Sequence, residues 1–342
     1  MIPGLLLAMT CGLCWGVFLT PMRLLKAWEW ENIWAVWTVF AMLVGPVAVA
    51  AIAVPHFVQI NLAVGLKVLL FTAFIGAISG TAGFLFSYTV PVVGVGLASA
   101  LNAGGSMAVS LLPLVILHSQ TIAHRSGLFT IVGVVLSIWG LWFCGRGGSL
   151  RDKEAAAEAG AVLPKVRLTF AQCVAANIFA GAISSGMNVV LAFPNPIIDV
   201  AHRFGSTDFE TATTFLAPYM VGGFFTNIFY CAYVLRKHRT TSKFLAPGSF
   251  VCLLWTIFMA AVFLVGTISY AYAVGLLGSF GAVITWGVSG AAMIVFPTVW
   301  DALLGQWKGL AARQIAYGVV VLMASIVVLA LAQYFYQINP LG

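Results

Sequence analysis

The chain of 342 residues is 62% hydrophobic, holds only 7% charged side chains and has a formal net charge of +7 at pH 7. Soluble domains carry about 25% charged residues, so this composition excludes a protein built around a water-facing surface. The excess base lies in short segments between apolar runs, as in the inner loops of membrane proteins, and no nucleic-acid partner is expected.

An α-helix of roughly 20 apolar residues crosses about 30 Å of hydrocarbon, and a helix satisfies its own backbone there. Such runs fall at 2–22, 32–54, 67–90, 92–117, 122–145, 170–194, 211–235, 248–271, 276–300 and 311–335. The expected fold is an all-α polytopic membrane protein with ten transmembrane helices, whose main environment is the lipid bilayer. No basic stretch precedes the first run, so it reads as a span and not as a cleaved signal peptide. Cys11-x-x-Cys14 lies inside that run without a His or an acid nearby. The pair reads as packing, and neither a metal nor a cofactor is expected.

The segment KAWEWENIW, 26–34, joins the first two runs and gathers Trp28, Trp30, Trp34, Glu29 and Glu31. Aromatic rings favour the headgroup level, and acids favour the first turn of a helix. Further along, Pro91 and Gly94 leave almost no loop between the third and fourth runs. The polar segment 146–169, beginning RGGSLRDKEAAAEAG, then divides five runs from five. An odd number of spans per half sets related halves in opposite orientations, the inverted-repeat plan of many secondary transporters. The expected organisation is a first five-helix repeat at 1–145, a linker at 146–169 and a second repeat at 170–342. With the N-terminus outside, thirteen Lys and Arg fall in inner loops against Lys67, Arg125 and Arg203 outside. Both termini are therefore expected outside and the linker inside.

A shift of 184 positions superposes Tyr88 on Tyr272, Gly94 on Gly278, Pro113 on Pro297 and four apolar residues on identical ones within 88–115. Stripes of small and polar residues at helical spacing mark four spans. The sixth has Asn177, Gly181, Ser184, Ser185 and Asn188, and the seventh has Tyr219, Gly223, Thr226, Asn227 and Tyr230. The fourth has Ser99, Asn102, Gly105 and Ser106, and the ninth has Ser279, Trp286, Ser289 and Gly290. Each stripe alone is explained by close helix packing; four of them across two halves point to a shared polar cavity.

No acid lies at the middle of a run, the five histidines sit in loops or at run ends, and no H-E-x-x-H, P-loop or G-x-S-x-G occurs. The chain is not expected to be an enzyme. Amides, hydroxyls and aromatics without fixed charge suit a neutral, hydroxyl-rich ligand, because sugar hydroxyls match amide groups and apolar ring faces pack on Trp or Tyr.

Phe18, Pro21, Arg23, Lys26, Trp28, Trp30, Glu31 and Trp34 together form F-x-x-P-x-[RK]-x-x-K-x-W-x-W-E-x-x-W. This pattern resembles the L-rhamnose–proton symporter family of the drug/metabolite transporter superfamily. Gly83, Tyr88, Gly94 and Gly96, then Ile178 through Asn188, then Pro218 to Asn227, then Trp286 and Gln306-Trp307 extend the resemblance along nearly the whole chain. It implies ten helices in two inverted halves in a bacterial inner membrane, with periplasmic termini. It also implies uptake of L-rhamnose or a related deoxyhexose with a proton, by alternating access. The chain departs from the family at Ser87, where an arginine is expected, at Gly281 and Ala282, where an acid is expected, and at Gln306, where a glutamate is expected.

Asn102, Asn188, Asn227, Trp286 and Tyr219 are the expected sugar contacts, and Glu31 is the candidate proton carrier. Shielding by tryptophans would favour protonated Glu31, whereas the helix start, Arg23 and Lys26 would favour the anion. The departures leave an uncoupled facilitator or an exporter of another small metabolite open, and beside transport stands a membrane receptor or scaffold. The coupling ion and the oligomeric state are not fixed by the sequence.

Overall fold

The computed structural model describes all residues except 118, 119, 121–123, 160–167, 194, 304–306 and 339–342. At 23, 24, 87, 90, 91, 95, 96, 114, 152–159 and 279 it describes the backbone alone. Ten helical stretches among the described residues are long and apolar enough to cross a membrane: Ile2–Met22, Trp30–Ala53, Leu66–Phe86, Leu97–Leu117, Arg125–Arg151, Phe170–Arg203, Asp208–His238, Ser249–Leu277, Gly281–Leu303 and Gly309–Ile338. They are numbered here as the first to tenth spans. The chain is an all-α polytopic membrane protein.

Local chemistry sets the helix starts. Glu29 caps the second span, with its side chain on the Asn32 backbone and the Asn32 side chain on its own. Thr169 with Gln172 and Thr207 with Glu210 form the same reciprocal box at the sixth and seventh spans. The helix of the third span runs Leu66–Val93, and the next helix begins at Val95. Gly94 alone makes that turn, at φ +80°, a conformation closed to most side chains. Gly278, its partner under the shift of 184, stands at φ +70° just before the ninth span. The fifth helix continues from Arg125 to Ala159, well into the expected linker. Its RDKEAAAEA tail is rich in the strongest helix formers, so the helix outlasts the apolar run.

Packing is paired. The first span lies against the eighth and ninth, and the sixth lies against the third and fourth. The third packs on the seventh and the fifth on the tenth. Close approach needs missing side chains: a Cβ on Gly76 would enter the Tyr219 carbonyl, and one on Gly222 the Ala73 carbonyl. Short polar ties cross the same seams. Ser106 and Ser185 hydroxyls meet at 2.8 Å, Ser137 donates to Ser325 at 3.1 Å, and Asn177 donates to Thr89 at 2.7 Å. Much of the sixth-span stripe therefore serves helix packing. Outward faces carry Phe74, Phe225, Phe229 and Val320, which hydrocarbon can cover. At the end of the bundle that holds the N-terminus, two short helices, Phe57–Val64 and Pro196–Arg203, pack through buried Ile60 and Ala201.

Candidate functional site

At mid-depth the first, second, third, sixth, seventh, eighth and ninth spans enclose a cavity of about 310 Å³, within the range of ligand pockets. Trp15, Phe18, Phe263 and Trp286 supply aromatic surface, and Met42, Met187, Met220 and Met293 add adaptable thioethers. Ser79, Ser184 and Tyr219 bring hydroxyls. None of the described lining residues is charged. Tyr219 is buried, with its hydroxyl directed at Ser79 and the Met187 backbone. Trp15 donates to Thr267 at 3.2 Å and meets Trp286 edge-on, ring centroids 5.9 Å apart.

Three of the spans depart from regular α-helical bonding near this cavity. In the second, residues Val39–Val44 form a π-helical turn directly before Gly45-Pro46. Proline has no N–H to give to the carbonyl four residues earlier, which here belongs to Met42. Pro297 inside the ninth helix withholds a bond from Met293 in the same way. The sixth span breaks at Ser185, between Phe170–Ser184 and Gly186–Ala192. Met42 and Met293 both line the cavity, and the Met293 carbonyl packs against Gly16 of the first span.

The expected site residues separate into three groups. Tyr219 and Trp286 line the cavity. Asn188 and Asn227 stand behind its wall, fully engaged on one side. Asn188 Oδ1 accepts from the Tyr270 hydroxyl at 2.6 Å, and the Tyr270 ring packs on Trp15 and edge-on to Trp286. Asn227 accepts from Trp34 Nε1 at 3.3 Å and donates to the Gly223 carbonyl at 2.9 Å. Asn102 is half-buried where the fourth span crosses the sixth, its carbonyl in the space a Cβ on Gly181 would take. Trp15, Met42, Ser79, Phe263 and Met293 are lining residues the sequence reading did not single out, and Phe18 entered it only as a motif residue. Pro46 and Pro297 were the legible signal for two of them.

Glu31 lies outside the cavity, in a clasp between the start of the second span and the end of the seventh. It is 5% exposed. Its Oε1 accepts from Thr240 Oγ1 at 2.8 Å and lies 3.1 Å from His238 Nδ1. Asn32 donates to the Thr240 carbonyl at 3.0 Å, Lys243 pairs with Glu29, and Trp28 donates to Ser249 at 3.0 Å. From this clasp a run of rings leads inward. Trp30 stacks on Trp34 and Trp34 on Trp37, which meets Phe18 and Phe263 in the cavity wall. On the same side of the bundle Arg151 pairs with Asp301 at 3.6 Å and covers the Trp307 ring at 4.3 Å. Gln306 lies outside the described residues. Among the described residues no group of His, Cys, Asp and Glu is placed to hold a metal ion.

The chain is similar to curated transport proteins over much of its length. It is 24% identical over 246 residues to L-rhamnose-proton symporters of Escherichia coli O9:H4 (strain HS), Shigella dysenteriae serotype 1 (strain Sd197) and Klebsiella pneumoniae subsp. pneumoniae. In each comparison 69% of this chain and 70% of the relative are covered. Residues 1–335 match the family described as L-rhamnose-proton symport protein. With ten candidate spans and a match over residues 1–335, the chain belongs to the L-rhamnose-proton symport protein family, which is a family of transporters and not of enzymes.

Proposed function

We propose that the protein takes up a neutral sugar, L-rhamnose or a related deoxyhexose, with a proton across a bacterial inner membrane. The observation that carries this reading is the aromatic, charge-free cavity at mid-depth. Sugar hydroxyls would donate to the oxygens of Tyr219, Ser79 and Ser184; the Ser79 and Ser184 protons are themselves held by the Ile183 and Gly181 carbonyls at 2.9 and 2.8 Å. The apolar ring face and the methyl group of a deoxyhexose would pack on Trp286 and Trp15. Asn188 and Asn227 then act through the aromatics they hold, Tyr270 and Trp34.

Alternating access is supported by the paired packing of the first and sixth spans and by the matched glycines Gly94 and Gly278. In this reading the clasp closes the cytoplasmic side, and both termini are periplasmic. Glu31 holds Thr240 and His238 as an acceptor. A proton on its carboxylate weakens both bonds and frees the second span from the seventh, which links protonation to opening.

The test is sugar accumulation in proteoliposomes under an imposed pH gradient. A symporter concentrates sugar when the gradient is present and only equilibrates it when the gradient is absent. The absence of an acid among the described lining residues favours a second reading, an uncoupled facilitator, which equilibrates sugar under both conditions. A receptor moves none.

A further inference from the structure

Glu31 is nearly closed off from water, with 7% of its side chain exposed, yet it touches a residue that is not. The His238 side chain is 53% exposed, and its Nδ1 stands 3.1 Å from Glu31 Oε1. Among the described residues, Thr240 and His238 are the side chains whose hydrogen bonds reach this carboxyl. Thr240 is itself buried. His238 therefore joins the carboxyl to the surrounding water, and imidazole gains and loses a proton near neutral pH.

The chain bends to make this contact. Arg239, between His238 and Thr240, stands at φ +57° and ψ +34°, a left-handed conformation that few side chains adopt. The Thr240 amide turns back onto the Leu235 carbonyl at 3.2 Å, and Asn32 holds the Thr240 carbonyl. The seventh span thus ends so that His238 and Thr240 converge on one carboxylate oxygen. Left-handed turns without glycine persist where the surrounding structure holds them, often at functional sites. The other titratable groups of the elements meeting here have their own places. Glu29 is paired with Lys243, Lys237 lies over the Tyr233 ring, and Tyr230 meets Trp30 edge-on. Lys26, Arg236 and Arg239 are exposed, and the Cys231 thiol is buried on the seventh span. The Arg23 side chain lies outside the described residues.

Resting on the role given to Glu31 under the proposed function, we propose that His238 takes the proton from Glu31 and passes it to water at the cytoplasmic end of the bundle. In a neutral ring that carries its proton on Nε2, the Nδ1 lone pair is free to accept. The Glu31 O–H bond breaks as the Nδ1–H bond forms, which leaves a carboxylate and an imidazolium. Imidazole is the stronger base of the two. The imidazolium gives its Nε2 proton to water, and exchange with water restores the starting tautomer. The freed carboxylate again accepts from Thr240, so release of the proton re-forms the clasp.

The experiment compares two activities of the full chain in proteoliposomes. Net uptake of labelled L-rhamnose under an imposed pH gradient requires release of a proton in every cycle. Exchange of labelled for unlabelled sugar at equal pH does not. His238→Asn offers an amide N–H near the place of Nδ1 but cannot carry a proton. It should slow net uptake about tenfold or more relative to exchange, a modest share of what a positioned proton-transfer group contributes. Added imidazole should restore net uptake in His238→Ala, where the missing ring leaves room for it. Wild-type net uptake should fall as the pH on the release side drops below about 6.5, where the ring stays protonated and cannot accept. His238→Asn should lack that dependence. Net uptake at the wild-type rate in His238→Asn overturns the proposal and leaves Glu31 as the carrier. Equal loss of uptake and exchange in both variants, without rescue by imidazole, also overturns it and marks a purely structural contact. Wild-type protein that only equilibrates sugar under the gradient removes the proton altogether, and the symport reading falls with the proposal. Should His238→Ala fail to fold, His238→Asn and the wild-type pH profile still decide.

Discussion

Thr240 and Glu31 stand 209 positions apart and are joined by a hydrogen bond of 2.8 Å. The bond ties the first turn of the second span to a residue two positions beyond the end of the seventh, and neither partner is exposed. His238 and Asn32 reinforce the same junction. The aromatics of 26–34 are therefore more than an interfacial belt, because Trp30 and Trp34 begin a stacked run that ends in the cavity wall.

Trp286 offers a ring to the cavity and is held edge-on by Trp15 and Tyr270. Trp286→Ala removes that surface. Aromatic contacts contribute about 0.5–1.5 kcal/mol beyond the area they bury, so sugar affinity should fall roughly three- to tenfold. Equilibrium binding of L-rhamnose to purified protein measures it. Unchanged affinity with intact folding would place the sugar elsewhere.

Asn188 reaches the cavity only through Tyr270. Asn188→Ala leaves the Tyr270 hydroxyl without its 2.6 Å partner, and an orphaned buried hydroxyl costs about 1–3 kcal/mol. Tyr270→Phe removes the hydroxyl itself. The double variant should be no worse in sugar affinity than Asn188→Ala alone, because the two act through one bond. Additive losses would mean that the Asn188 amide touches sugar directly.

The ten spans were legible because hydrocarbon imposes a length and a composition that single residues cannot disguise. Gly94 was legible as a near-absent loop, and its positive φ explains why one residue suffices. The lining of the cavity was less so. Ser106, Ser185 and Asn177 share the spacing of cavity residues yet bond across helix seams, since packing and ligand binding both favour small polar side chains. Trp15 and Phe263 have no polar signature at all and are apolar residues in apolar spans. The clasp was half visible: the acids and tryptophans of 26–34 stand out, but their partners Thr240, in a loop, and Ser249, at the start of the eighth span, carry no signal of their own and are brought near only by the fold.

Packing and binding separate under mutation. Ser185→Ala removes the bond to Ser106 between the sixth and fourth spans. Interhelical bonds in membranes contribute about 0.6 kcal/mol on average. A small drop in the thermal midpoint in detergent is expected, with sugar affinity unchanged. A loss of affinity without a loss of stability would return Ser185 to the binding site.

Thirteen basic residues in one set of alternate loops against three in the other lead us to expect both termini in the periplasm. A reporter active only in the cytoplasm should be silent when fused after Gly342 and active when inserted within 152–159. The opposite pattern would invert the bundle and put the Glu31 clasp at the periplasmic face.

Coupling is tested most directly by comparing two partners in one hydrogen bond. Glu31→Gln keeps shape and a carbonyl acceptor for Thr240 but cannot gain or lose a proton. Thr240→Val removes the donor and leaves the carboxylate titratable. If Glu31 carries the proton, Glu31→Gln abolishes accumulation of sugar under a pH gradient while exchange of labelled for unlabelled sugar continues. Thr240→Val, by contrast, loosens the clasp and still accumulates, with a shifted dependence of rate on pH. A purely structural clasp gives the reverse ranking. Glu31→Gln would then be mild, since the Thr240 bond survives, and Thr240→Val would be the more damaging change for accumulation and exchange alike. Glu31→Gln protein that still concentrates sugar under an imposed gradient removes Glu31 from the coupling path.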